Sequence, residues 1–149
     1  MSIVAKAREL AHRAHAGQVD KAGRPYIEHV ARVAAAVADD SEAEAVAWLH
    51  DVLEDAPDYW AEVTRTVYQR QQAAIVALSR TPFKLTASAY YAGIRANPLA
   101  LRVKLADIAD NANEGRLALL DAATAARLRR KYAKAIAALT DDREVRRGG

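Results

Sequence analysis

The chain has 149 residues, a length that suits one domain built around a single hydrophobic core. It contains no cysteine, which excludes disulfides and thiolate metal sites, so a bound metal must be held by His, Asp or Glu. The net charge of +3 comes from 22 basic and 19 acidic residues, a mixed excess too weak to indicate nucleic-acid binding. No apolar run approaches the ~20 residues of a transmembrane helix, and charged residues interrupt the N-terminal stretch that a signal peptide would need. We therefore expect a cytoplasmic protein that binds neither nucleic acid nor membrane.

The first half of the chain is predicted to form three helices. Residues 2–16 place apolar side chains at helical spacing, between a serine that can cap a helix and a glycine that can end one. A polar loop follows, and Pro25 suits the first turn of a second helix that extends to about residue 38. Residues 39–41 provide a break and a new N-cap. A third helix is then predicted to run through to Leu53.

The second half is predicted to be helical as well. Pro57 opens a helical stretch, and another helix follows it. Residues 80–86 contain a proline and are predicted to form a loop, whereas residues 87–96 form a short helix. Pro98 begins a longer helix, and Asp121 caps the last one. No segment alternates strictly between apolar and polar residues, so no strand is predicted.

These patterns predict an all-α fold, a compact single-domain helical bundle. The abundance of alanine and leucine favours the same class. Residues 1–140 are predicted to form the domain, and residues 141–149 a disordered basic tail.

A few polar residues do not fit solvated helix faces. His50 and Asp51 lie inside the apolar stretch VAWLHDVL, where a buried His–Asp pair is costly unless something satisfies it. The pair alone is compatible with a satisfied core histidine. His29 on the preceding helix and Asp107 inside a later apolar helix extend the pattern to two imidazoles and two carboxylates. Helical bundles often hold metals with such inward-facing side chains, and mixed nitrogen and oxygen ligands suit Mn, Fe, Zn or Co.

Three segments resemble the motifs of one family. They are residues 14–30 (AHAGQVDKAGRPYIEHV), 49–55 (LHDVLED) and 103–111 (VKLADIADN). In order and approximate spacing they resemble HD-superfamily metal-dependent phosphohydrolases of the RelA/SpoT hydrolase branch. The similarity extends over nearly the whole chain. Among that family, the small stand-alone alarmone hydrolases, which remove the 3′-pyrophosphate from ppGpp, are similar in size.

The resemblance implies an HD-type helical fold and a set of site residues. The implied metal ligands are His29, His50, Asp51 and Asp107, holding one divalent ion, Mn in the first place, with Fe, Co or Zn as alternatives. Glu54 and Asp55 match the pair that acts on the attacking water. Lys21, Tyr90 and Asn111 match residues that contact the nucleotide, and Lys104 is a further cation that could balance the negative charge of the substrate.

The chain also departs from the alarmone-hydrolase pattern. Asp20 stands where an arginine is common, Ala56 replaces a threonine, and Gly93 replaces a tyrosine for which Tyr91 could substitute. An acid in place of a base is expected to change how the phosphates of a nucleotide are read.

Four functions therefore stay open. The first is hydrolysis of ppGpp to GDP and diphosphate, and the second is phosphohydrolysis of another nucleotide or phosphoester. The third is a binding or regulatory module without turnover. The fourth is a purely structural helical interaction protein, which predicts no bound metal. The expected partner is a small nucleotide, and the sequence leaves the oligomeric state open.

Overall fold

Short-range hydrogen bonds begin the helices where the sequence predicts them. The Ser2 hydroxyl accepts a hydrogen bond from a backbone N–H of the first turn, at 3.1 Å. Asp40 and Asp121 cap their helices in the same way, and so do Thr86 and Asn97. Such bonds satisfy backbone donors that the first turn leaves free, so a few neighbouring residues decide where a helix starts.

A computed structural model describes residues 1–80 and 86–140 of the chain. In these ranges the fold is all-α, as predicted, and forms a compact helical domain without strands. The helices are α1 (Ile3–Ala14), α2 (Tyr26–Ala36), α3 (Ser41–Leu49), α4 (Val52–Asp55), α5 (Trp60–Thr66), α6 (Gln69–Leu78), α7 (Ala87–Arg95), α8 (Pro98–Asn111), α9 (Glu114–Leu117) and α10 (Ala122–Thr140), with a 3₁₀ turn over Pro57–Tyr59.

The predicted third helix is wrong in one respect, because it does not continue to Leu53. α3 ends at Leu49, and His50 and Asp51 form a turn before α4. Successive side chains on an α-helix diverge by about 100°, so an uninterrupted helix would separate the two side chains. The turn instead leaves His50 Nε2 only 3.1 Å from Oδ2 of Asp51.

Helix α3 is the centre of the hydrophobic core. The six residues from Ala45 to His50 are all buried, and α3 packs against α1, α2, α6 and α8. Three of its buried positions are alanines, whose small side chains let neighbouring helices approach closely. This position explains why apolar residues surround His50: the histidine ends a helix that is buried on every side.

The loop between α1 and α2 is folded tightly on itself. An antiparallel bridge joins Val19 to Pro25, and Gly17 and Gly23 both have positive φ angles, of 78° and 82°. Side chains other than glycine rarely adopt such angles, so these two glycines permit the reversal of the chain. The loop lies beside the end of α8, where a functional site is predicted.

A smaller apolar cluster lies between α9 and the first turns of α10. It contains Leu117, Ala125 and Leu128, with Leu120 and Tyr132 packed against it. Within the described ranges, no helix is both long and apolar enough to cross a membrane. The predicted tail at 141–149 and most of the predicted 80–86 loop lie outside the described residues.

Candidate metal centre and adjoining cavity

Two histidines and one aspartate converge from three helices. His29 lies on α2, His50 ends α3 and Asp107 lies on α8. Each offers one donor atom, and the three atoms lie within 4.8 Å of one another. The residues are only 1%, 3% and 6% exposed. Three of the four predicted ligands therefore form a buried group that could hold a metal ion.

The surroundings of the two ring nitrogens of His50 show that this group suits a cation. Its Nδ1–H donates to the carbonyl oxygen of Ala47 at 2.6 Å, which directs Nε2 towards the centre. Nε2 is buried and makes no hydrogen bond, although Oδ2 of Asp51 and Oδ1 of Asp107 lie 3.1 Å and 3.4 Å away. A buried polar atom without a partner is costly. A divalent cation would satisfy both this nitrogen and the nearby carboxylates, so the donors fit the expected group.

The ring of His29 is held from behind by a carboxylate. Its Nδ1–H donates to Oδ2 of Asp110 at 2.6 Å, while Nε2 lies 2.9 Å from Oδ1 of Asp107. Such a hydrogen bond on the far side of a histidine fixes its tautomer and orientation and makes the other nitrogen a better metal ligand. Burial alone would raise the pKa of Asp110, but hydrogen bonds from His29 and Arg32 outweigh it and lower the pKa to about 2.

The pKa shifts of His29, His50 and Asp107 all favour the charged forms of these side chains. Burial alone would lower the pKa of His29, yet hydrogen bonds to Asp107 and Asp110 raise it. The pKa of His50 is raised well above its ordinary value, because Asp51 and Asp107 outweigh the effect of its burial. Burial opposes ionisation of Asp107 as well, but the two histidines and Lys104 hold its pKa well below the usual range. The centre therefore attracts positive charge.

Asp51, the fourth predicted ligand, adjoins the group of three but is not part of it. Its Oδ2 atom lies 3.1 Å from Nε2 of His50 and accepts a hydrogen bond from the hydroxyl of Tyr26. Burial raises the pKa of that hydroxyl, and the Asp51 charge raises it further, so Tyr26 stays a donor. Asp51 is thus held beside the centre by a residue that sequence reasoning did not single out.

Glu54 and Asp55 lie on α4 with exposed side chains. Glu54 accepts a hydrogen bond from the backbone N–H of Arg80, and Asp55 accepts one from the Gln18 amide at 3.0 Å. Gln18 is itself oriented by buried His15, whose Nδ1–H donates to its Oε1 at 2.7 Å. Protein atoms displace water from the Glu54 carboxylate and raise its pKa, against the hydrogen bond from Arg80 and with the help of the nearby Asp51 charge.

Lys104 and Asn111 both hold Asp107. The Lys104 ammonium lies 3.1 Å from Oδ2, and the Asn111 amide donates to Oδ1 at 3.3 Å. Tyr90 is buried, and its hydroxyl donates to the carbonyl of Leu78 at 2.9 Å. Of the four predicted substrate residues, Lys21 and Asn111 line the cavity described next, whereas Tyr90 and Lys104 do not.

A cavity of about 560 Å³ adjoins the centre, and two of its lining residues, Tyr26 and Asn111, donate hydrogen bonds to Asp51 and Asp107. Five cations line it: Lys21, Arg24, Arg32, Arg116 and Lys131. Two acids, Asp20 and Glu28, also line it and are paired with Arg116 and Arg24. Four leucines and an aromatic ring supply apolar surface: Leu117, Leu119, Leu120, Leu128 and Tyr132. The space therefore combines an apolar face with positive charge, which suits a ligand that has an aromatic part and an anionic part.

Asp110 and Arg116 are two of the charged residues of this site that sequence reasoning missed. Asp110 could have been predicted from the sequence, because it follows Asp107 by three positions on α8 and therefore lies on the same helix face. No sequence pattern indicated Arg116, since it lies on a four-residue helix that was not predicted. Asp20, which departs from the family pattern, is paired with Arg116: the two side chains are 3.0 Å apart.

Comparison with known proteins is consistent with the candidate metal centre, but the similarity covers only a small part of the relative. No family model matches the chain. A guanosine-3′,5′-bis(diphosphate) 3′-pyrophosphohydrolase of Haemophilus influenzae is 35% identical over 118 residues, which cover 72% of this chain. The chain spans only 17% of the length of that relative. It is thus a distant homologue of part of a nucleotide phosphohydrolase, and its buried histidines and aspartate fit an HD-type metal site.

Proposed function

We propose that the protein is a metal-dependent phosphohydrolase that converts guanosine-3′,5′-bis(diphosphate) to GDP and diphosphate. The observation that carries the proposal is the buried group of His29, His50 and Asp107, with its unsatisfied Nε2 atom, beside a cation-lined cavity. The activity for which the Haemophilus relative is named supports the choice of substrate.

The proposed metal ligands are His29, His50 and Asp107, with Asp51 as the fourth. Imidazole and carboxylate donors suit Mn first, and Fe, Co or Zn as alternatives. A bound divalent cation would neutralise phosphate charge and make water easier to deprotonate. Asp110 and the Ala47 carbonyl set the two rings so that each Nε2 atom faces the centre.

The two α4 acids are proposed to move protons. Water adds to the phosphorus that carries the 3′ oxygen, the bond from phosphorus to that oxygen breaks, and the oxygen leaves with a proton. The Gln18 amide orients Asp55, which is suited to accept the proton of the water. Glu54, whose pKa is raised, holds a proton more readily and is suited to supply one to the leaving oxygen.

The adjoining cavity is proposed to bind the rest of the nucleotide. The leucines and the Tyr132 ring offer apolar surface to a base, while the exposed residues Lys21 and Lys131 offer positive charge to phosphates. Phosphoryl transfer needs mainly positioning and charge stabilisation, so these groups suffice without a covalent nucleophile.

A second candidate substrate class is another nucleotide or phosphoester. Asp20 favours it, because an acid stands on the cavity surface where the alarmone hydrolases commonly carry a base. A binding module without turnover is a further alternative, and it predicts stoichiometric metal with no product from any phosphoester.

The test is a hydrolysis assay on protein stripped of metal and reloaded with Mn. Release of GDP and diphosphate from ppGpp should be lost in His50→Ala and Asp107→Ala. Exposed His12 and Asp58 provide matched controls, so His12→Ala and Asp58→Ala should keep the activity. Stoichiometric metal without GDP release would contradict the alarmone assignment, and a panel of nucleotides and phosphoesters would then separate the two alternatives.

A further inference from the structure

We infer that Arg116 is a positioning residue, which fixes the metal ligand His29 through Asp110 and ties the Lys21 loop to it through Asp20. The metal part of this inference needs only the metal centre. The part that concerns substrate rests on the proposed function.

Arg116 spreads its hydrogen bonds over two separate parts of the chain. Nη1 donates to Oδ2 of Asp110 at 2.8 Å and to Oδ1 of Asn111 at 3.1 Å, both at the end of α8. It also lies 3.4 Å from the carbonyl oxygen of Asp110 and 3.3 Å from Nδ1 of His29, whose hydrogen is donated to Asp110. Nη2 donates to Oδ2 of Asp20 at 3.0 Å, in the α1–α2 loop. Among the described residues, Arg116 alone hydrogen-bonds to both Asp20 and Asp110. A planar guanidinium can do this because its donors point in fixed directions, which an ammonium cannot reproduce.

On the α8 side, Arg116 acts on a metal ligand through one shared oxygen. Oδ2 of Asp110 receives Nδ1–H of His29 and Nη1 of Arg116, and Oδ1 receives Nε of Arg32 at 2.8 Å. Without Arg116, the carboxylate would lose one of the three groups that fix its orientation. The His29 ring takes its own orientation from that carboxylate, so its Nε2 atom would be held less firmly towards the centre.

On the loop side, Arg116 acts through Asp20. Oδ1 of Asp20 accepts hydrogen bonds from the backbone N–H groups of Ala22 and Arg24, both at 2.9 Å, which close the loop around Lys21. Its other oxygen is bound to Arg116. Both oxygens of Asp20 are therefore bound by groups of the protein, and its charge is balanced. Asp20 shapes the loop, and its partner Arg116 offsets the negative charge that it brings to the cavity.

The ion pairs of Arg116 are partly buried and are therefore expected to hold their partners in place. The side chains of Arg116, Asp20 and Asp110 are 24%, 11% and 14% exposed. Charges with so little exposure are screened less by solvent and salt than surface pairs. The chain also offers a matched comparison: Arg129 binds the carboxylate of Glu114 on the same helix α9, at 2.8 Å, but touches neither Asp110 nor the loop in the described contacts.

The experiment measures Mn affinity of the full chain, by calorimetric titration without nucleotide, in Arg116→Met and Arg129→Met. We expect Arg116→Met to bind Mn about 10- to 100-fold more weakly, the usual cost of losing a group that orients a ligand, and Arg129→Met to match the wild type. Hydrogen–deuterium exchange over residues 18–25 should also become faster in Arg116→Met and not in Arg129→Met. Wild-type Mn affinity in folded Arg116→Met would overturn the inference.

Two further variants keep the test decisive. If Arg116→Met does not fold, Arg116→Gln replaces it: the shorter, neutral amide cannot form ion pairs with the two carboxylates, so unchanged Mn affinity would again overturn the inference. Asp20→Asn should keep Mn affinity near the wild-type value and raise KM for ppGpp with little change in kcat; a loss of kcat alone would contradict the loop role. If the Arg116 variant shows the metal and exchange effects but the wild type releases no GDP, the positioning role stands and the proposed substrate fails.

Discussion

Nδ1 of His29 lies 2.6 Å from Oδ2 of Asp110, a residue 81 positions later in the chain. The bond fixes which ring nitrogen faces the candidate metal centre, so the orientation of the proposed ligand on α2 depends on an acid at the end of α8. We expect Asp110→Asn to weaken Mn binding about 10- to 100-fold, because the amide cannot accept from all three donors that surround it.

Calorimetric titration of Mn checks this, with exposed Asp58→Asn as the control. Equal affinities in the two variants would show that Asp110 contributes nothing to the ligand set.

Metal binding is expected to release protons. In the metal-free protein the pKa values of His29 and His50 are raised, so both rings keep a proton at a pH where an ordinary histidine has lost it. A ligating nitrogen must be unprotonated, so protons compete with the metal and the apparent affinity falls as pH falls. The affinity should therefore still rise with pH above the ordinary value of 6.5 and level off only above the raised pKa values.

Titrations in buffers of different ionisation enthalpy count the released protons directly. Affinity that is already independent of pH at pH 7, with no proton release, would contradict the raised pKa values.

Metal removal should lower the melting temperature of the protein. A ligand that binds only the folded state stabilises it by about 2.7 kcal/mol at a free concentration 100 times its Kd. We expect EDTA to lower Tm and added Mn to restore it, and we expect His50→Ala to show neither effect. His12→Ala removes an exposed histidine of α1 and should respond like the wild type. A Tm that does not depend on metal in the wild type would count against the centre itself.

Glu54 is expected to matter for catalysis and not for metal binding. Glu54→Gln keeps the size of the side chain and its acceptor for the Arg80 N–H, but it cannot transfer a proton. We expect kcat for ppGpp to fall about 100- to 10,000-fold, the usual contribution of a general acid or base.

Mn affinity, measured in parallel, should stay unchanged. The exposed Glu9→Gln serves as the control for loss of an acid elsewhere. Wild-type kcat in Glu54→Gln would remove Glu54 from the mechanism and leave Asp55 as the candidate.

The sequence by itself determined most of the helices, the all-α class and the three buried residues that converge. Ser2, Asp40 and Asp121 cap helices through bonds to backbone groups a few residues away, so neighbouring residues are sufficient information. The proposed ligands were recognisable because charged and imidazole side chains inside apolar helices need a compensating partner.

Only the tertiary structure decided how that site is supported. It interrupted the predicted third helix at His50, placed Tyr90 in the core and paired Asp20 with Arg116, 96 positions away. A hydrogen bond between distant residues depends on how whole helices pack. The local sequence around either residue therefore does not predict it. The buried core around α3 sets that packing, and with it the positions of Asp110, Arg116 and the cavity.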